Sequence, residues 1–247
     1  MLEAYAKNYR LLWNGHWWWQ SRRRFVVSWL VRLAARRPLG RILDIGSGDG
    51  IFFDDFSLFG EPWGVETDAS LVDPAGKWAS RIKVAPFGAE YEDSRDYDLV
   101  TMLDSIEHIE DDAAAVRRAA GLLKPGGLLF ATVPALPSLW SVHDEANRHF
   151  RRYTRPALRT LLESAGLEVE TVGFFFGWPV LPLYARKLIG FGRTRTQAAG
   201  EYEVLPPPRA LNAVLYAATV VEQFLTGRYG TPIGSSLFAV ARRPEAA

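Results

Sequence analysis

The sequence predicts an α/β fold, with a doubly wound sheet of seven mostly parallel strands and an antiparallel last strand. Short apolar segments alternate with helix-like segments from Arg41 onward, which is typical of a parallel sheet covered by helices on both faces. The first apolar segment runs directly into a glycine-rich turn at 46–50. A final antiparallel hairpin at the sheet edge fits the last two segments, although periodicity alone does not establish it.

The individual elements follow from local signals. Seven segments are predicted as strands: 41–45, 63–66, 81–85, 97–103, 127–134, 167–176 and 235–244. A helix is predicted over 111–124, because it is alanine-rich, begins with acids and stops before Pro125. A second helix is predicted over 154–166, with Thr154 as its N-cap and Gly166 as its stop.

The chain divides into a short N-terminal segment and one large domain. Residues 1–40 are predicted to form a separate helical segment, in which apolar residues recur at helical spacing over 24–37; its role as a lid is what a family resemblance described below implies. Residues 41–247 are predicted to form the α/β domain, with an insertion at about 178–234 that contains an apolar helix over 210–225. The N-terminus lacks the features of a secretory signal, and no apolar run reaches the ~20 residues of a membrane span. A cytoplasmic location is therefore expected.

Composition narrows the chemistry. The chain has no cysteine, which excludes disulfides, thiolate nucleophiles and cysteine-ligated zinc. The formal net charge is only +1, but basic residues cluster in 1–41 and again in 148–155. Such clusters favour an anionic partner or surface, while a merely solvated helix face is an equally open alternative.

The glycine-rich turn indicates the ligand. The sequence LDIGSGDG (43–50) has the spacing G-x-G-x-G rather than the G-x-G-x-x-G that seats a pyrophosphate. Asp44 precedes the first glycine and would repel a pyrophosphate, whereas it suits a cation such as a sulfonium group. Glu66 ends the second strand, where a carboxylate can hold ribose hydroxyls. A ribose and a positive charge together describe S-adenosylmethionine.

The sequence resembles the class I S-adenosylmethionine-dependent methyltransferases, which have a Rossmann-like fold. The resemblance rests on LDIGSGDG (43–50), GVE (64–66), YDLVTMLDSIEHIED (97–111) and LKPGGLLFATVP (123–134). It narrows to a subgroup that includes the ubiquinone-type O-methyltransferases. The segment LWSVHDEANRHFRRYT (139–154) is similar to bacterial members assigned to glycan or lipid acceptors.

The resemblance implies which residues bind the cofactor. They are Arg22, Asp44, Gly46, Ser47, Gly48, Glu66, Thr67, Phe87, Leu103 and Asp104. Arg22 is expected at the carboxylate end of the cofactor, and Leu103 and Asp104 are expected to act through their backbone. The family's usual adenine-binding acid is missing, because Ala85-Pro86-Phe87 stands in its place. A backbone carbonyl, Glu90 or stacking is expected to hold the adenine instead.

Transfer of a methyl group to a hydroxyl needs an acceptor for the proton. His143, Asp144 and His149 are the predicted catalytic residues, since they follow the fifth strand at the ligand-binding edge of such a sheet. Bracing of the loop is the alternative role for these side chains. His108 is interpreted as structural. No metal is expected, because the clustered carboxylates that magnesium prefers are not obvious here.

The segment HWWWQSRRR (16–24) joins three tryptophans to three arginines. In the resembling enzymes the N-terminal segment folds over the cofactor pocket as a lid, which excludes water from the reacting groups. Tryptophans beside arginines also suit a membrane interface. Packing into the core is the third alternative for this segment.

The expected function is S-adenosylmethionine-dependent methyl transfer with S-adenosylhomocysteine as product, in the EC 2.1.1 class. The expected acceptor is an oxygen on a bulky or amphiphilic small molecule: a glycan, a lipid or a quinone-like compound. One alternative is a non-catalytic accessory protein that binds the cofactor. A nucleic-acid methyltransferase is disfavoured, because LDSIEH stands where an Asn/Asp-Pro-Pro-Tyr-type motif would follow the fourth strand. Contact with a membrane surface and the oligomeric state both stay open.

Overall fold

The computed structural model describes residues 10–188, 207–227 and 229–245. Its seven strands are β1 (Arg41–Ile45), β2 (Glu61–Glu66), β3 (Ile82–Val84), β4 (Tyr97–Leu103), β5 (Leu123–Pro134), β6 (Glu168–Phe175) and β7 (Ser236–Arg242). They form one sheet in the order β3-β2-β1-β4-β5-β7-β6, in which only β7 runs antiparallel to its neighbours. The predicted fold class, with its antiparallel last strand, is confirmed.

Seven α-helices lie wholly within the described ranges, and residues 10–15 are helical as well. The seven are α1 (Trp17–Ala34), α2 (Phe53–Phe56), α3 (Asp112–Gly121), α4 (Val142–Ala146), α5 (Arg155–Ser164), α6 (Val180–Leu188) and α7 (Arg209–Thr226). The Thr154 hydroxyl accepts a hydrogen bond from Ala157 N at 3.3 Å, so the predicted N-cap of α5 is confirmed. Helix α1 begins seven residues before the predicted apolar run, because the His16 side chain caps it by accepting from Trp18 N.

Two hydrophobic clusters pack against the sheet. One unites α3 and α5 with residues of β4 and β5, and the other unites α1 and α2 with residues of β1, β5 and β7. Phe25 of α1 stacks on Phe175 with ring centroids 4.3 Å apart, and Trp29 contacts Phe238 at 4.9 Å. The C-terminal half of α1 is thus part of the core, as is Trp19 in its N-terminal half, and the lid stays a prediction.

The insertion is fixed to α1 by side-chain hydrogen bonds. Asn212 of α7 accepts from Trp17 N at 2.8 Å and donates to Gly15 O at 2.9 Å. Gln223 donates to Ser21 O at 2.9 Å. Residues 189–206 of the predicted insertion lie outside the described residues. Within the described ranges, no helix is long and apolar enough to cross a membrane.

Candidate functional site

The glycine-rich turn follows β1 at the carboxyl edge of the sheet. Gly46 has φ +80°, and a Cβ placed there would lie only 2.8 Å from the Ser105 Cβ. Gly48 has φ +56°, but a Cβ placed there would meet no atom within 4 Å. Gly46 therefore lets the turn pack closely against Ser105 in the chain after β4. Gly48 instead faces open space that a ligand can enter. Ser47 is buried between them.

Glu66 links this turn to the end of β2. Its carboxylate accepts from Gly48 N at 2.8 Å and from Asp68 N at 2.9 Å, and the side chain is buried. A carboxylate has about four acceptor positions, so it can take further hydrogen bonds from hydroxyl groups of a ligand. Thr67 next to it is exposed. These placements fit a ribose at this edge, and the roles of both residues stay predictions.

Asp44 lies beneath the turn as a buried carboxyl group. It accepts a hydrogen bond of 2.6 Å from the Thr101 hydroxyl. Burial raises the pKa of Asp44 to about 7, while this hydrogen bond and the charge of Arg22 act in the opposite direction. A cationic ligand would favour the ionised form, and a pyrophosphate would oppose it. The site therefore fits a sulfonium compound better than a dinucleotide.

Arg22 crosses from α1 to the end of β4. It is 2% exposed, and its Nε lies 2.5 Å from Asp104 Oδ2. Its guanidinium lies 5.5–5.8 Å from the ring centroids of Trp18, Trp19 and Phe52. Two of the three tryptophans of the N-terminal segment thus enclose a cation that reaches the site. Whether Arg22 also meets the cofactor's carboxylate stays a prediction.

Strained backbone follows β4. Asp104 has φ +52°, a left-handed conformation that non-glycine residues adopt mainly where the surroundings impose it. Leu103 before it is buried. On the adenine side, Phe87 is buried with its ring centroid 4.9 Å from that of Tyr91, while Glu90 is exposed. The predicted adenine contacts of Phe87 and Glu90 stay predictions.

The predicted catalytic residues meet in the loop after β5. His149 Nδ1 lies 2.9 Å from Asp144 Oδ1, and Arg152 Nε donates to the same oxygen at 2.7 Å. Asp144 Oδ2 accepts from Ser141 N at 2.9 Å in a capping box of α4. Burial alone would raise the pKa of Asp144, but the hydrogen bonds from His149 and Arg152 hold it well below its usual range. Asp144 is thus an ionised residue that orients His149.

Two further imidazoles surround His149. The ring of His108 lies 4.7 Å away and that of His143 lies 6.2 Å away, both edge to face. Burial lowers the pKa of each to about 4, so both are neutral at pH 7. His143 and His149 were predicted to share this site. His108 was interpreted as structural; the structure places it in the same cluster, and its role stays a prediction.

Glu107 is the residue that the sequence analysis missed. It is 1% exposed, and its Oε2 has no hydrogen-bond partner among the described residues. Burial raises its pKa well above the usual range, and Asp104 acts in the same direction. Glu107, His108 and His149 each place one ligand atom within 4.8 Å of the others, so they could hold a metal ion. The expectation that the site needs no metal stays a prediction.

Known proteins are similar to this chain in sequence and in fold. The model of a methyltransferase domain family matches residues 18–172. A ubiquinone biosynthesis O-methyltransferase of Xanthomonas axonopodis pv. citri (strain 306) is 30% identical over 165 residues, which cover 56% of this chain and 67% of that protein. The chain thus spans about two thirds of the length of this relative.

Solved structures match over nearly the whole chain. An S-adenosylmethionine-dependent methyltransferase from Archaeoglobus fulgidus has a TM-score of 0.54 at 17% identity, covering 89% of this chain and 94% of its own. The [4+2]-cyclase SpnF has a TM-score of 0.59 at 18% identity, covering 98% and 94%. Likeness at this identity shows the fold alone, since one of these two proteins is named as a cyclase.

Proposed function

The chain belongs to the methyltransferase family and uses S-adenosylmethionine as its cofactor, and on that premise we propose that it methylates a hydroxyl oxygen. The proposed acceptor is a bulky or amphiphilic small molecule: a glycan, a lipid or a quinone-like compound. The observation that carries the proposal is the pair formed by His149 and the buried Asp144. Transfer to oxygen needs such a group to take the hydroxyl proton, whereas a neutral amine has less need of a base before attack.

The cofactor supplies a methyl group made electrophilic by its sulfonium charge. In this proposal Gly46 and Gly48 shape the turn that receives it, and Glu66 binds its ribose hydroxyls. Asp44 is placed beneath this turn, where its carboxylate can attract the positive charge of the sulfonium group. Arg22 binds the carboxylate end of the cofactor, or it holds Asp104 in place through their ion pair. These roles use only residues at one edge of the sheet, where doubly wound folds bind their ligands.

His149 is proposed as the proton acceptor. Asp144 holds one ring nitrogen, which leaves the other nitrogen as the one that can take a proton from the acceptor hydroxyl. The carboxylate also stabilises the imidazolium that then forms. Arg152 and Ser141 fix the carboxylate in turn. His143 is neutral, so it contributes a polar but uncharged side chain next to His149.

The N-terminal half of α1 is proposed as the lid over the site. Trp19 and Arg22 are buried, so these two side chains are in contact with the protein and not with a membrane surface. The ubiquinone pathway named for the Xanthomonas relative supports a quinone-like acceptor. No nucleic-acid partner is proposed. The cytoplasmic location, and the peripheral membrane contact that was left open, stay predictions.

The test is an acceptor screen that measures release of S-adenosylhomocysteine. Catechol-type quinone precursors, lipid extracts and glycans are offered with the cofactor, and mass spectrometry of the product locates the new methyl group. A methyl on oxygen supports the proposal. A methyl on nitrogen or carbon overturns it. Cofactor binding without release across the whole panel favours the accessory-protein alternative.

A further inference from the structure

Helix α7 has its polarity reversed relative to an ordinary surface helix. Its polar side chains face inward, where Asn212 and Gln223 bind the backbone of α1 and Glu222 accepts from Gly177 N and Trp178 N. Thr219 is buried and accepts from the Trp178 indole at 3.0 Å. The outward face is therefore left to the apolar residues of the helix, which solvent alone does not favour.

The exposed face contains a regular apolar seam. The seam consists of Leu211, Val214, Ala218, Val221 and Leu225, all of which are exposed. Its four large members are between 50% and 75% exposed, and Phe224 beside it is 81% exposed. The intervals alternate between three and four residues. This is the spacing at which a second helix packs its side chains between those of the first.

The seam has the same order of residue types on both sides of Ala218. A valine lies four residues before it and another three residues after it, and a leucine lies seven residues away on each side. In an antiparallel pair of identical helices, Leu211 would meet Leu225, Val214 would meet Val221, and the two Ala218 residues would face each other. A small residue at the centre lets the helix axes approach closely. Such self-complementarity is what a two-fold interface between identical chains requires.

The ends of the helix fit the same arrangement. Helix α7 has no basic residue in its last turn, whose free carbonyl groups carry the negative end of the helix dipole. Arg209 is exposed in the first turn. Antiparallel pairing would bring Arg209 of each copy to the last turn of the other. The seam and Phe224 would bury on the order of 500 Å² per copy, about 1,000 Å² in total, near the lower limit for a specific interface.

We infer that the outward face of α7 is the interface of a homodimer, in which α7 packs antiparallel against α7 of a second copy. A bilayer surface is the competing occupant. Interfacial helices, however, present a strongly charged face to water. The polar face of α7 instead packs against the protein, where it contacts α1 and residues 177–178. Since α7 also binds the backbone of α1, dimer formation would support the proposed lid. The inference about the dimer does not depend on the methyl acceptor.

Sedimentation equilibrium over a range of protein concentrations tests the inference. Wild type is expected at twice the mass of one chain. Val214→Glu and Val221→Lys are each expected to give monomers, because each places a charge in the apolar seam. The double variant is expected to restore the dimer, because each glutamate then meets a lysine of the other copy. Both positions are exposed, so a far-ultraviolet circular dichroism spectrum that matches wild type would confirm that the variants are folded. Their thermal midpoints are expected to fall, because the dimer no longer stabilises the fold.

Cross-linking gives an independent measurement. The chain has no cysteine, so Ala218→Cys is expected to form a disulfide-linked dimer under mild oxidation, while the exposed control Leu58→Cys is not. Monomeric wild type would overturn the inference. If that monomer sediments with phosphatidylglycerol vesicles, a bilayer covers the face; if it does not, the chain itself covers it. Dimers that persist in both single variants would also overturn the inference.

Discussion

Replacing Asp144 by asparagine removes the charge at the centre of the catalytic cluster and keeps its shape. The carboxylate accepts hydrogen bonds from His149, Arg152 and Ser141 and is fully buried. The Arg152 side chain is only 11% exposed, so the variant leaves its charge without an acidic partner in a poorly solvated place. Loss of one member of a buried ion pair costs about 3–5 kcal/mol.

This cost should be visible in thermal unfolding. In a chain of this size 1 kcal/mol shifts the midpoint by about 2–4 °C, so Asp144→Asn should lower it by on the order of 10 °C. The control Glu163→Gln breaks the half-exposed pair with Arg159 on α5, which is worth only about 0.3–0.5 kcal/mol. A midpoint for Asp144→Asn that is no lower than that of the control would refute the role of the buried pair.

The contribution of Asp144 to the stability of the fold is expected to depend on pH. The pKa of Asp144 in the folded protein lies below its value in the unfolded chain. The group therefore contributes stability above about pH 4, and this contribution is lost as the pH falls towards the folded pKa. The difference in midpoint between wild type and Asp144→Asn should shrink on acidification. Turnover should fall by about 10²–10⁴-fold at neutral pH, because His149 loses its orienting charge.

Two further predictions concern the cofactor turn. Cofactor affinity should rise with pH up to about 7 and fall about tenfold for each pH unit below it, because the pKa of Asp44 is raised to about 7 and the cation binds its ionised form. Asp44→Asn should abolish this dependence in calorimetric titrations; an unchanged pH profile would contradict the assignment. Gly46→Ala should lower the thermal midpoint, since its Cβ would meet Ser105 at 2.8 Å. Gly48→Ala should lose cofactor binding and lower the midpoint less than Gly46→Ala does, because it adds the strain of a positive φ but no steric clash. Equal effects of the two alanines on binding and stability would count against the open space above Gly48.

Much of the fold could be predicted because its signals are local. The glycine-rich turn, the alternation of strands and helices, and the N-cap at Thr154 are set by residues close together in the chain. The doubly wound, mostly parallel sheet and its antiparallel last strand follow from the alternation and from the resemblance, whereas the order of the strands in the sheet was not predicted. The starts of α1 and β5 were misplaced, because the tryptophans before 24 and the Lys-Pro-Gly-Gly stretch at 124–127 do not carry a periodic pattern.

The candidate site could be predicted only in part. His149 and Asp144 were found because five residues of chain keep them close. Glu107 and His108 lie about forty residues earlier, and they join the cluster because the loop after β5 folds back over the end of β4, where Phe150 N donates to Glu107 O. The pairing of Arg22 with Asp104 depends on the same kind of long-range contact. Such long-range contacts cannot be predicted from the spacing of residues along the chain.

The most direct measurement compares cofactor binding and turnover in one variant, His149→Asn. Calorimetry with S-adenosylmethionine measures binding, and release of S-adenosylhomocysteine with an acceptor from the screen measures turnover. His143→Asn serves as the matched control, because its imidazole lies in the same cluster but lacks the bond to Asp144. We predict that His149→Asn binds the cofactor as wild type does and loses at least about 10²-fold in kcat. An unchanged kcat would contradict the proposal that His149 accepts the proton.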